Sequence, residues 1–85
     1  ITSDNPRYED PEEIIKDILA GINNRDHVTI DIDRESAIQN TIKAASINDV
    51  VLIAGKGHEN YQELAGVRRP FSDQDVVRKT LEIRT

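Results

Sequence analysis

Asp49-Val50-Val51-Leu52-Ile53-Ala54-Gly55-Lys56-Gly57-His58-Glu59 is the stretch on which the fold turns. Its apolar half runs without interruption from Val50 to Ala54. That pattern suits a parallel strand covered by helices on both faces, and it marks the candidate centre of a sheet. The glycine-containing half reads as the loop leaving that strand. Upstream, His27-Val28-Thr29-Ile30-Asp31-Ile32-Asp33 alternates, so Val28, Ile30 and Ile32 share one side of another strand. The chain opens on Ile1-Thr2-Ser3 as if cut within a strand, and is expected to be a piece of something larger.

Three helices are expected between and after these strands. Asp10 as N-cap, Pro11 in the first position and Glu13 as the capping-box partner open the first. Ile14, Ile15, Ile18, Leu19 and Ile22 form its apolar face, and Gly21 can end it. The second starts near Asp33 or Arg34 and carries Ala37, Ile38, Ile42 and Ala45 as a stripe. The last begins with Ser72 as N-cap and Asp75 in the third position, and buries Val76, Val77, Thr80 and Leu81. Tyr61 to Leu64 and Val67 to Phe71 flank Ala65-Gly66 as a short hairpin, with Pro70 on its edge. The order strand, helix, strand, helix, strand, hairpin, helix predicts an α/β fold. Its mostly parallel sheet is flanked by helices, with a short antiparallel hairpin near the C-terminus.

The chain has 85 residues, 36% apolar and 32% charged, so residues 1–85 are expected to form one small domain with a core of Ile, Val, Leu and Ala. With no cysteine it has neither a disulfide framework nor a thiolate metal site, which is compatible with a reducing cytosol. Sixteen acidic against eleven basic residues give a net charge of −5, which argues against general affinity for nucleic acid or anionic lipid. The longest apolar run, Val50 to Ala54, is far shorter than the roughly 20 residues needed to span a membrane.

Ligands of open parallel sheets bind outside the carboxyl ends of the strands. Asp4-Asn5-Pro6-Arg7 and Gly55-Lys56-Gly57-His58-Glu59 both fall on that edge and can face one ligand. Asp4 and Glu59 offer carboxylates to an ammonium group, and Arg7 offers a planar fork to a carboxylate or phosphate. Gly55 and Gly57 leave backbone groups uncovered. Such a site suits a zwitterion. Plainer readings stand beside it: Asp-Asn-Pro opens turns, Arg7 can pair with Glu9 or Asp10, and glycines after a strand often serve a tight turn. Gly55-Lys56 is no phosphate loop, because Val50 stands where a glycine is required and Gly57 where Ser or Thr would hold magnesium. His58 beside Glu59 lacks a second ligand, so no metal site is expected, and no spacing points to a catalytic set. Arg68 and Arg69 read as solvated hairpin residues, although the hairpin could close over a ligand.

Thr2-Ser3-Asp4-Asn5-Pro6-Arg7 with Glu9-Asp10-Pro11, and Ala54-Gly55-Lys56-Gly57-His58-Glu59 with Tyr61-Gln62, together resemble the C-terminal domain of Mur ligases. Among these, the motifs look like those of the members that add the third residue of the peptidoglycan stem peptide. The resemblance continues through Phe71-Ser72-Asp73. It implies a Rossmann-like domain, of which this chain is the latter part, belonging to a cytoplasmic ligase with an upstream ATPase domain in the same chain. The implied reaction uses ATP and Mg2+ to activate the D-glutamate carboxylate of UDP-N-acetylmuramoyl-L-alanyl-D-glutamate for attack by an amino acid. The family's phosphate loop, magnesium ligands and carbamylated lysine have no counterpart here, so the segment alone is expected to bind no nucleotide or metal and to be inactive. Nucleic acid and membrane insertion are not expected.

In the family, Asp-Asn-Pro-Arg accompanies the use of meso-diaminopimelate, whose extra carboxylate an arginine fork can hold. The resemblance therefore implies that Asn5 and Arg7 bind substrate carboxylate. Asp4, the Gly55 carbonyl and Glu59 would serve the far ammonium group, and Lys56, Gly57 and His58 would shape the loop. Two alternatives remain at this stage. One is a non-catalytic α/β binding or interaction module; the other is a Mur-type ligase adding a different amino acid such as lysine.

Overall fold

The computed structural model describes residues 1–56 and 59–84. The elements are three helices, α1 (Pro11–Ala20), α2 (Arg34–Ala44) and α3 (Asp73–Arg84), and one hairpin of β1 (Tyr61–Leu64) and β2 (Val67–Pro70); α2 packs on α3, and β1 on β2.

Each helix starts where local chemistry dictates. The Asp10 carboxylate accepts from the Glu12 amide at 2.9 Å, and Pro11 occupies the first helical position, where no N–H is needed. The expected capping-box return from Glu13 is replaced by an ion pair with Lys16 at 3.2 Å. Ser72 Oγ accepts from the Asp75 amide at 3.3 Å, so α3 is capped as its sequence predicts. The stripe on α2 buries Ile38 and Ile42. Together with Phe71 and Val76 they form the core, against which Ile53 and Val77 pack. Two expected core residues lie at its margin, since Ile18 and Leu81 are 45% and 46% exposed.

The hairpin follows the sequence closely. Tyr61 pairs with Pro70 and Leu64 with Val67 in antiparallel register. Ala65 and Gly66 both take positive φ, 52° and 77°, the left-handed pair that a two-residue hairpin turn requires. Gly66 is doubly constrained, because the Tyr8 ring lies against it and a Cβ there would meet the Tyr8 hydroxyl at 2.5 Å.

The parallel sheet is where the structure departs from expectation. Among the described residues the sheet is two-stranded and antiparallel, made of β1 and β2 alone. The stretches expected as strands, residues 1–3, 28–32 and 50–54, form no ladder. A parallel strand is stabilised by neighbours at both edges and cover on both faces. Here Val50 and Leu52 are 94% and 87% exposed, and Ile53 alone of that run packs against the core. What does persist is one pair of backbone bonds between two of these stretches: the Ile1 nitrogen donates to the Thr29 carbonyl at 2.8 Å, and the Asp31 amide donates to the Ile1 carbonyl at 3.0 Å.

The ends of these stretches are drawn together by Arg34, a buried residue for which the sequence carried no warning. Its Nε and Nη2 each donate to the Asp73 carboxylate at 2.7 Å, while Nη1 reaches the Ser3 carbonyl at 3.3 Å and Nη2 the Ala54 carbonyl at 3.2 Å. The hydrogen bonds that Arg34 donates to Asp73 raise the Arg34 pKa above its ordinary value, against the opposing effect of burial. One side chain thus fixes the points from which both candidate loops depart.

Candidate functional site

The loop after Ser3 is seated on the hairpin through its backbone. The Arg7 amide donates to the Glu63 carbonyl at 3.1 Å, and the Ala65 amide donates to the Arg7 carbonyl, so Arg7 and Leu64 form a parallel bridge. Between those bonds Arg7 is held at φ 57°, an uncommon conformation for a side chain of this size. Gln62 Nε2 donates to the Asp4 carbonyl at 3.0 Å, and Asn5 Oδ1 accepts from the Glu63 amide at 2.8 Å. Three residues of one loop, Asp4, Asn5 and Arg7, are therefore registered against the hairpin.

Lys56 joins the second loop to the first. Its side chain is wholly buried, with Nζ 2.9 Å from Asp4 Oδ1, 3.2 Å from Asn5 Oδ1 and 2.7 Å from the Tyr61 carbonyl. The contact with Asp4 is a charge pair out of line for a hydrogen bond, and the buried Oδ1 has no other donor. The rings of Tyr61 and Phe71 lie 6.0 and 5.8 Å from the ammonium, adding a cation–π contribution. Gly55, at φ 117°, gives the backbone the turn that lets Lys56 enter; a Cβ there would stand 3.3 Å from Asp4 Oδ2.

Around this hub the charges alternate. Asn5 Nδ2 lies 3.5 Å from Glu59 Oε1, and the Tyr61 hydroxyl donates to Glu59 Oε2 at 3.1 Å. Arg7 Nη1 stands 3.4 Å from Glu63 Oε2, with the Arg7 side chain 51% exposed. Its pKa is raised, first by a side-chain hydrogen bond with Tyr61 and then by Glu63. Glu63 is held below its ordinary value, first by Arg68, with Arg7 adding to the effect and desolvation opposing it.

Asp4 and Asn5 of the first loop meet Gly55, Lys56 and Glu59 of the second, whereas Arg7 is turned onto the hairpin at Glu63. Gly57 and His58 lie outside the described residues. The alternative pairing of Arg7 with Glu9 or Asp10 gives way to Glu63, because the bridge to Leu64 turns Arg7 toward the hairpin. A cleft of about 620 Å³ adjoins the loop at Ser3 and Pro6 and extends to Arg34, Gln62 and Leu64. Its walls include none of Asp4, Asn5, Arg7, Gly55, Lys56 and Glu59.

Residues 1–57 match the family model described as Mur ligase, glutamate ligase domain. The chain belongs to that family. This Mur ligase segment is 56% identical over 81 residues to the UDP-N-acetylmuramoyl-L-alanyl-D-glutamate--2,6-diaminopimelate ligase of Aquifex aeolicus, covering 95% of the segment and 17% of that relative. It is also 56% identical over 82 residues to the ligase of the same name from Chromobacterium violaceum, covering 95% of the segment and 16% of the relative. A solved structure of a ligase with this name superposes with a TM-score of 0.87 at 46% identity, over 98% of the segment and 17% of that chain. The segment thus spans about a sixth of the length of the relatives it matches.

Several members of the site escaped the sequence. Glu63 and Arg68 were two more charges on a hairpin, and their register, which decides whom they face, is set by the turn. Tyr61 and Asp73 stood inside motifs quoted for the resemblance, a signal that marks a position without giving its contacts. Arg34 had no signal beyond lying at a helix start.

Proposed function

We propose that this segment is the amino-acid-recognising part of a cytoplasmic, ATP-dependent ligase that adds meso-diaminopimelate to UDP-N-acetylmuramoyl-L-alanyl-D-glutamate in peptidoglycan synthesis. The observation that carries the proposal is the half-exposed guanidinium of Arg7 held on the same loop pair as the carboxylates of Asp4 and Glu59. That pattern matches the far end of diaminopimelate, which bears one carboxylate and one ammonium group. The names of the relatives and of the solved neighbour support the same substrate.

Arg7 takes the far carboxylate in a two-bond fork. Asn5 Oδ1 is already engaged by Lys56 and the Glu63 amide, so its Nδ2 is the group that donates to substrate carboxylate. Asp4 meets Lys56 through Oδ1, which leaves Oδ2, on the Gly55 side, to accept with the Gly55 carbonyl and Glu59 from the far ammonium. Lysine lacks the second carboxylate and offers the fork nothing.

MgATP does not fit these residues. The Lys56 ammonium is buried among Asp4, Asn5 and Tyr61 and cannot serve a phosphate, and no group of three or more His, Asp or Glu among the described residues is placed to hold a metal. Nucleotide chemistry and the UDP-muramoyl dipeptide belong, in this reading, to other parts of a longer chain, including an ATPase domain upstream. The same longer chain completes the mostly parallel Rossmann-like sheet of which residues 1–85 form the latter part. The bonds between Ile1 and the 29–31 stretch, and the meeting of the Ser3 and Ala54 carbonyls on Arg34, support that arrangement. No helix among the described residues is long and apolar enough to cross a membrane.

The test is Arg7→Ala in the full-length ligase carrying this segment. Catalytic efficiency with meso-diaminopimelate should fall roughly 30-fold to several thousand-fold, with the KM for ATP nearly unchanged. Arg7→Lys should recover only part, because a point charge cannot reproduce the fork. Equal losses with diaminopimelate and lysine would make Arg7 a structural residue and overturn the assignment.

A further inference from the structure

We infer that Glu63 and Arg68 act as a pair to set the selectivity of Arg7: Glu63 aims the guanidinium, and Arg68 keeps Glu63 from capturing it. The inference rests on the proposed role of Arg7 in holding a ligand carboxylate, and it assigns two positioning residues that do not themselves touch the ligand.

Glu63 is placed beside Arg7 by the backbone, through the bond from the Arg7 amide to the Glu63 carbonyl. Its carboxylate is then shared unequally. Arg68 Nε reaches Oε1 at 2.9 Å, within the range of a charge-assisted hydrogen bond, whereas Arg7 Nη1 approaches Oε2 only to 3.4 Å. Arg68 has the stronger hold because its guanidinium is stacked 4.4 Å from the centre of the Tyr61 ring, which fixes its plane. The lowering of the Glu63 pKa has the same ranking, with Arg68 first and Arg7 after it. The Tyr61 hydroxyl gives its proton to Glu59 and also accepts from Arg7. Arg7 is thereby held by two partners, Glu63 and Tyr61, and its contact with Glu63 stays long.

The charge balance gives this arrangement its function. Two guanidinium groups, both more than half exposed, face one carboxylate, and the more loosely held one, Arg7 at 3.4 Å, is the one left with charge unmatched. An incoming ligand carboxylate completes two pairs. Without Arg68, Glu63 is free to turn both oxygens onto Arg7 and becomes an internal competitor for the ligand.

The measurement is steady-state kinetics of the full-length ligase, varying meso-diaminopimelate, lysine and ATP separately. Arg68→Gln should raise the KM for diaminopimelate about three- to tenfold, with kcat and the KM for ATP little changed. Glu63→Gln should raise it less, because aim is lost but no competitor is created. The decisive variant is the double Glu63→Gln/Arg68→Gln, which should recover from the Arg68→Gln level to that of Glu63→Gln alone. A merely structural pair would make the double variant equal to or worse than Arg68→Gln, and that result, or an unchanged KM in Arg68→Gln, overturns the inference. Arg7→Ala in the same series separates the two levels. If it loses no selectivity for diaminopimelate, the substrate reading itself falls; if it does while Arg68→Gln is silent, this inference falls alone.

Discussion

The Lys56 side chain meets no solvent, an arrangement that persists only when its ammonium group is paired. Asn5 and the Tyr61 carbonyl accept its hydrogen bonds, and Asp4 supplies the opposite charge. Because these partners come from the first loop and from β1, while Lys56 belongs to the second loop, Lys56 reports on the site as a unit. Lys56→Met keeps the length of the side chain but strands the buried oxygen of Asp4 and the Tyr61 carbonyl. Stability should fall by about 2–4 kcal/mol, seen as a lower urea midpoint at unchanged slope. An unchanged midpoint would show that the loops are held together by the hairpin contacts alone. At this scale the sequence was informative about composition and silent about pairing. Asp4, Asn5, Arg7, Gly55 and Glu59 could be selected because their motifs were expected on one edge of a sheet and carry the family resemblance. Who neutralises whom could not, because a charge on a strand faces one side or the other according to a register that only the folded turn defines.

The hairpin is the element on which the site is assembled, and it carries its own pH dependence. Glu63 has a folded-state pKa below 4.5, caused first by Arg68 and also by Arg7. A depressed carboxyl pKa stabilises the folded form above the unfolded value, and that contribution disappears as pH falls from about 4.5 through the folded pKa. Docking of the 3–7 loop on β1 should therefore weaken on acidification below that point. Amide exchange at Glu63 and Ala65, compared between wild type and Glu63→Gln, checks this. The wild-type protection should drop in acid toward that of the variant, whose own exchange, corrected for intrinsic rates, should be insensitive to pH across the window. Helices and hairpin were legible because caps, a two-residue left-handed turn and apolar spacing are local signals. The parallel strands were not, since a ladder is made by neighbours remote in sequence. A run such as Val50 to Ala54 states that it wants cover without supplying it.

For the molecule as a whole, the Arg34 fork is the contact that ties α2, α3 and the two loop origins together. Breaking a buried charged pair from one side typically costs about 3–5 kcal/mol, and a fold of this size has little reserve. Arg34→Met should therefore unfold the segment in thermal melts at temperatures where the wild type is folded. Arg34→Lys should recover little, because one ammonium cannot serve Asp73 in two bonds and both carbonyls. Asp73→Asn should be milder, since it keeps an acceptor for Arg34. If Arg34→Lys matched the wild type, simple charge neutralisation would suffice and the fork geometry would be incidental.

Stretching the chain between its ends makes the topology of that fork a mechanical property. Tension entering at Ile1 and at the end of α3 passes through the bonds of Ile1 to the 29–31 stretch and then across Ser3, Arg34 and Asp73. The rest of the chain between Ser3 and Asp73, including both candidate loops and the hairpin, lies inside the closed circuit and carries little load until the clasp opens. Single-molecule extension should show a first rupture governed by Arg34, shifted to lower force in Arg34→Met, followed by release of the enclosed length at once. Gradual lengthening before that rupture would mean that the loops yield independently of the clasp.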